Sequence, residues 1–84
     1  MTFIPTWYLK EVVLFVDADE TQYKYELFQK SDGSGFFANL FRLDDFMDLQ
    51  LWVKIDELNH LLSYVKEHAV EEVEEHFKKN FFTS

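Results

Sequence analysis

Three histidines, His60, His68 and His76, stand eight residues apart near the end of this 84-residue chain. On a helix they are its natural candidates for binding a metal or moving a proton. Eight residues turn a helix through about 800°, a net step of roughly 80°, so the three rings diverge and cannot share one ion. A tighter set is His68, Glu72 and His76 at i, i+4 and i+8, which forms a stripe. One helix can offer zinc two such groups, as HExxH helices do, but that motif is absent and no third ligand is identifiable. The plain reading is a solvated His–Glu surface; a metal site or a pH sensor is the alternative. No metal is expected.

Carboxylates are the second reactive class. Sixteen Asp and Glu against eight Lys and Arg leave a net charge of −8. Ten of the acids fall in runs: Asp17, Asp19 and Glu20; Asp44, Asp45 and Asp48; Glu71, Glu72, Glu74 and Glu75. Calcium takes six to eight oxygens, but neither aspartate run has the D-x-D-x-D-G spacing and terminal Glu of an EF-hand. Hydrolysis by a carboxylate pair needs one acid in a pocket with a raised pKa, and nearly all of these read as loop or solvated helix. Ser31, Ser34, Ser63 and Ser84 lack a nucleophile signature. The Asp32-Gly-Ser-Gly loop lacks the Lys and the helix of a phosphate loop. No enzymatic activity, cofactor or small-molecule substrate is expected.

Trp7, Tyr8, Tyr23, Tyr25, Trp52 and Tyr64 would suit base stacking. Single-strand binders pair such rings with a basic groove, which these few, scattered cations do not make. Direct binding to nucleic acid, or to an anionic membrane, is therefore not expected. Core and interface packing is the simpler use for the aromatics.

Size and composition agree with that. Eighty-four residues make one domain, 1–84, that buries only about 60–65% of its unfolded surface. Yet 48% of the residues are apolar and 19% aromatic, ten of them Phe. Either the core is aromatic-heavy or some of this surface is meant for another chain. With no cysteine, neither a disulfide nor a thiolate metal site staples the domain, which fits a reducing compartment. Residues 1–6 do not resemble a signal peptide, and the longest apolar run, 12–16, is far short of the ~20 residues that span a bilayer. The expectation is a soluble, cytoplasmic protein.

Four segments have strand character. Residues 7–16 are β-branched and aromatic; 22–30 alternate with period two; 36–43 return after the Gly-rich loop 31–35; 49–55 alternate again, with 44–48 as a turn. From Asp56, a plausible N-cap, Leu58, Leu61, Leu62, Val65, Ala69, Val73 and Phe77 recur at steps of three and four. That predicts a helix over 56–80, with Lys78 and Lys79 at its negative end, and a docked apolar tail, 81–84. An alternative starts the helix near Asp45.

The expected fold is α+β: a four-stranded antiparallel meander (ββββα) with one long amphipathic helix on one face. Loops 17–21 and 44–48 then share one end, and a helix starting at Asp56 carries Glu71–Glu75 back to it. All ten carboxylates would gather at that pole.

The other sheet face remains apolar. With Tyr23, Tyr25, Leu27, Leu49, Leu51, Val53 and Ile55 toward the helix, Phe28 and Trp52 point away. Strands one and three add large residues to both faces, Tyr8, Leu14 and Leu40 among them. Such a patch usually marks an interface. The expectation is a non-enzymatic interaction module that forms a homodimer or docks on a protein partner through Trp52, Phe28, Tyr8, Leu14 and Leu40. The alternative is an inhibitor that mimics DNA, offering the acidic pole (Asp17, Asp19, Glu20, Asp44, Asp45, Asp48, Glu71, Glu72, Glu74, Glu75) to a basic nucleic-acid-processing protein.

Overall fold

Alternation along the first half of the chain becomes four strands in the computed structural model, which describes residues 7–59 and 61–81. The strands are β1 (Trp7–Val16), β2 (Gln22–Lys30), β3 (Phe36–Phe46) and β4 (Leu49–Leu58). They form one antiparallel sheet in the order β1-β2-β3-β4, and a single helix, α1 (Lys66–Phe81), follows. The α+β meander is thus the observed architecture. His60 and the tail beyond Phe81 lie outside the described residues, as does the N-terminal segment 1–6.

The third strand runs three residues past its expected end, and the fourth three past its own. Asp44–Asp48 is not a loop: Asp44, Asp45 and Phe46 pair with Leu51, Gln50 and Leu49, and only Met47 and Asp48 turn. Both have positive φ, 50° and 67°, the geometry of a two-residue I′ hairpin. At the other end, Asp56, Glu57 and Leu58 pair with Leu40, Asn39 and Ala38. Those β3 backbone groups need partners, and strand pairing supplies them. Asp56 is therefore no N-cap. The helix begins ten residues later and spans about 24 Å rather than 36 Å. Leu58 and Leu61 still reach the core, from strand and connector, while Leu62 is 85% exposed.

Two irregularities set the faces. Leu9 sits opposite Phe28 and Glu11 opposite Leu27, so Lys10 is a bulge. A bulge moves everything before it to the other face. Trp7 and Leu9 consequently join Val12, Leu14 and Val16 on the face away from the helix, and Tyr8 is on the helix side opposite Gln29. On β4, Ile55 is the extra residue between Lys54 and Asp56.

The core is small and aromatic. Ala69, Val73 and Phe77, one per turn of α1, pack on Tyr23, Tyr25 and Leu27 of β2 and Phe36, Ala38 and Leu40 of β3. Phe15 stacks on Phe77 with centroids 4.5 Å apart, and Tyr23 lies 4.6 Å from Phe81. Among the described residues, the α1 backbone approaches β1, β2 and β3 but not β4. The molecule is a flat slab, 43 × 33 × 15 Å. Its radius of gyration is 14.3 Å, against about 12 Å for a compact chain this long. Much of its sheet is uncovered.

The Met47-Asp48 turn holds two residues in a conformation that favours Asn and Gly. Replacing the pair by Asn-Gly should raise the unfolding free energy by about 1 kcal/mol, read from urea unfolding midpoints.

Candidate interaction site

The face of the sheet opposite α1 is assembled from all four strands. Register places Trp7, Leu9, Val12, Leu14 and Val16 of β1 there, with Phe28 of β2, Phe37, Phe41 and Leu43 of β3 and Trp52 of β4. Phe28 stacks on Phe37 at 5.1 Å, and Trp7 meets Phe37 edge-on at 6.2 Å. Toward β4, Lys24 lies over both Phe41 (5.1 Å) and Trp52 (4.7 Å) and pairs with Glu26 at 3.7 Å. The β1 side is the barest: Leu14 is 64% exposed and Val16 54%.

Of the five expected face residues, Phe28, Leu14 and Trp52 lie on this open face. Leu40 does not. It pairs with Tyr25 on the helix side, is fully buried and belongs to the core. Alternation puts Phe37 and Phe41 on the open face instead. Tyr8 is also excluded, because the Lys10 bulge turns it to the helix side. Val12 and Val16 join Leu14 there by simple alternation, and Trp7 and Leu9 join them because of the bulge. A bulge at a lysine within an apolar run leaves no distinct mark in sequence.

Charge on the open face balances. Lys24, Lys30 and Lys54 share it with Glu26, Asp45 and Glu57, three cations to three anions by register. The surplus of −8 therefore lies elsewhere: on α1, on the loops and on the helix side.

Asp19, Glu20 and Asp45 line one shared hollow, so the first two acidic runs do meet, but the ten carboxylates do not form a single pole. Because α1 starts at Lys66, Glu71–Glu75 falls at the middle of the helix, and its last turn brings Lys78 and Lys79 toward the β1–β2 loop. The packing of Phe81 against Tyr23 places that turn, since the Tyr23 hydroxyl donates to Asp17 in the same loop.

Several of these acids serve the fold. Asp17 accepts from the Asp19 and Thr21 N–H groups and the Tyr23 hydroxyl. Burial and that bond both raise the pKa of Tyr23. Asp44 is gripped by Arg42 at 2.7 and 3.1 Å, which holds its carboxyl below the usual range. Glu74 pairs with Lys78 at 3.0 Å.

Glu72 clamps the connector to the helix by accepting from the Leu62 and Ser63 N–H groups at 2.7 and 2.9 Å. Burial alone would push its carboxyl up, but the Leu62 and Ser63 donors outweigh burial and hold it below its ordinary value. Asp19, Glu20, Asp45, Asp48, Glu71 and Glu75 make no such bonds to other described residues.

The histidine stripe is likewise divided. His76 Nδ1 and the Tyr25 hydroxyl share a hydrogen bond at 2.7 Å, and His76 Nε2 lies 3.7 Å from Asp56 Oδ2. Tyr25 is fully buried, which raises its pKa, so this Asp–His–Tyr chain is a closed strut between helix and sheet. Among the described residues, no group of three or more His, Asp or Glu is placed to hold a metal ion.

No family model, no curated protein and no solved structure matches this chain. No helix among the described residues is long and apolar enough to cross a membrane.

A carboxyl whose pKa is depressed in the native state stabilises the fold above its ordinary value and stops doing so as pH falls through the native value. For Glu72 that ordinary value is 4.5. Glu72→Gln should therefore lower stability at pH 7 by about 1 kcal/mol. The difference from the parent should start to shrink as pH falls below 4.5 and vanish once pH is below the lowered native value, as followed by urea unfolding across pH.

Proposed function

We propose that this protein is a small, acidic, non-enzymatic interaction module of the cytoplasm that self-associates through the open face of its sheet. One observation carries the reading: an aromatic and aliphatic surface on a soluble-type chain, free of the net charge that the rest of the molecule bears. Two copies at −8 repel, and that repulsion grows as their charged surfaces approach. A contact made through a charge-balanced face keeps the surplus carboxylates directed outward.

Size supports the same partner. Four strands about 4.8 Å apart and about ten residues long present roughly 600 Å² in projection. Stable interfaces bury about 800 Å² of accessible surface per partner, and side-chain relief closes most of that gap. Aromatic anchors dominate such contacts, and here Trp52, Phe28 and Phe37 supply them. The absence of cysteine accords with a reducing compartment.

Light scattering across a dilution series tests the reading. The expected result is a dimer that dissociates on dilution. Leu14→Glu, at a 64% exposed position, and Trp52→Glu should each shift the midpoint by about tenfold or more while far-UV circular dichroism stays unchanged. A parent protein that remains monomeric at every concentration refutes self-association.

A further inference from the structure

We propose that the outer edge of β4 captures an extended segment of a protein partner, apolar at alternate positions and carrying Lys or Arg at both ends. This site differs from the open-face contact, with which it shares Trp52 alone of the apolar residues of β4. It rests on the backbone of one edge strand and on the charges around it.

β4 ends the sheet, so alternate residues along 49–54 turn backbone N–H and C=O groups away from β3, and no described strand receives them. An extended ligand supplies the complementary groups, as in β-strand addition. The extra residue at Ile55 limits the regular edge to those six positions.

The same stretch belongs to a projecting arm. β2 pairs with β3 only as far as Tyr23 and Arg42, beyond which Leu43–Phe46 has β4 as its one partner. Two-stranded hairpins are marginal in water by themselves, and a third strand against β4 would complete this one. The helix side of the arm is apolar, with Leu49, Leu51 and Val53 61%, 48% and 41% exposed, and on the other face Trp52 stands between Gln50 and Lys54. An added strand there finds apolar neighbours above and below. The β1 edge offers them on one face only, because Val13 and Phe15 pack beneath α1.

Charge selects the occupant. Asp44, Asp45 and Asp48 stand at the tip end of the arm and Asp56 and Glu57 at the other. The two nearby cations each pair with one of these five acids, Arg42 with Asp44 and Lys54 with Glu57, and His76 lies 3.7 Å from Asp56. Both ends therefore stay net acidic, and Asp45 and Asp48 have no ion-pair partner among the described residues. A second copy fits poorly. Antiparallel pairing of β4 with itself would set Asp48 of one copy against Asp56 and Glu57 of the other. A segment with basic ends meets carboxylates at both.

The test uses the full chain, isotope-labelled, titrated in an NMR experiment with a capped peptide of three alternating valines and threonines flanked by two lysines at each end. A peptide with glutamates in place of the lysines is the control. The expected result is that amides of 49–54 shift and gain protection from exchange with the lysine peptide, that binding weakens steeply with salt, and that the control binds at least about tenfold more weakly. Leu51→Lys should weaken binding by about tenfold or more without altering the fold, since this side chain is half exposed. The Leu14→Glu variant should bind as the parent does, which separates this site from the open face.

Three results would overturn the proposal. The first is no shift in 49–54 up to about 1 mM peptide, weaker than any useful affinity. The second is equal binding of both peptides. The third is edge protection in the protein alone that grows with its concentration, which would assign the edge to a second copy.

Discussion

Everything about this molecule's surface follows from how little of the sheet its helix can cover. α1 buries one residue per turn, Ala69, Val73 and Phe77, against Tyr23, Tyr25 and Leu27. A helix about 10 Å across lies over two or three strands, not four. The small Ala69 brings the helix close at one end, and the stacked rings of Phe15 and Phe77 fill the wider gap at the other. The buried Tyr25–His76 hydrogen bond fixes the rotation of the helix. With the stripe seated on β2, Leu49, Leu51 and Val53 of β4 stay exposed on the helix side, while Ile55 and Leu58 reach the core.

That one constraint produces two exposed apolar regions of different character. The open face is broad and charge-balanced. The β4 edge is narrow, flanked by carboxylates, and presents backbone as well as side chains. Their chemistry differs because the strands that build them differ. β2 alternates cleanly, with Tyr23, Tyr25 and Leu27 inward and Lys24, Glu26 and Lys30 outward, so it supplies half of the charges of the open face. β1 carries apolar residues on both sides of its pleat, and its bulge turns still more of them to one face. The acidity expected to form one pole is divided: Asp19, Glu20 and Asp45 meet, while Glu71–Glu75 stays at mid-helix. Part of it is spent on structure: Asp17 closes a loop, Glu72 fastens the connector and Asp44 holds Arg42.

Local pattern was legible where one physical signal acted alone. The bounds of β1 and β2 follow directly from β-branched content and period two, and the Gly33 turn from its positive φ of 74°. Errors arose where two signals overlapped. Leu58, Leu61 and Leu62 extend the helical spacing of Val65 and Ala69, yet the unmet backbone of Ala38–Leu40 draws 56–58 into the sheet. Asp44, Asp45 and Asp48 look like a polar loop, yet a turn of two residues suffices, and the hairpin lengthens through the aspartates. Leu40 was misplaced as a surface residue because an all-apolar strand does not announce which side faces the helix.

The sequence by itself determined the class of object: a single acidic α+β domain, four antiparallel strands then a helix, with more aromatic surface than one small core can use. These properties are local or compositional. Only the tertiary structure decided where the helix starts, which face each residue of β1 takes, and that Glu71–Glu75 does not join the loop carboxylates. Each of those depends on register, and register is settled by pairing between segments distant in sequence. One bulged residue, Lys10, moves every side chain before it to the opposite face, and the energy that places the bulge comes from the whole sheet rather than from its neighbours.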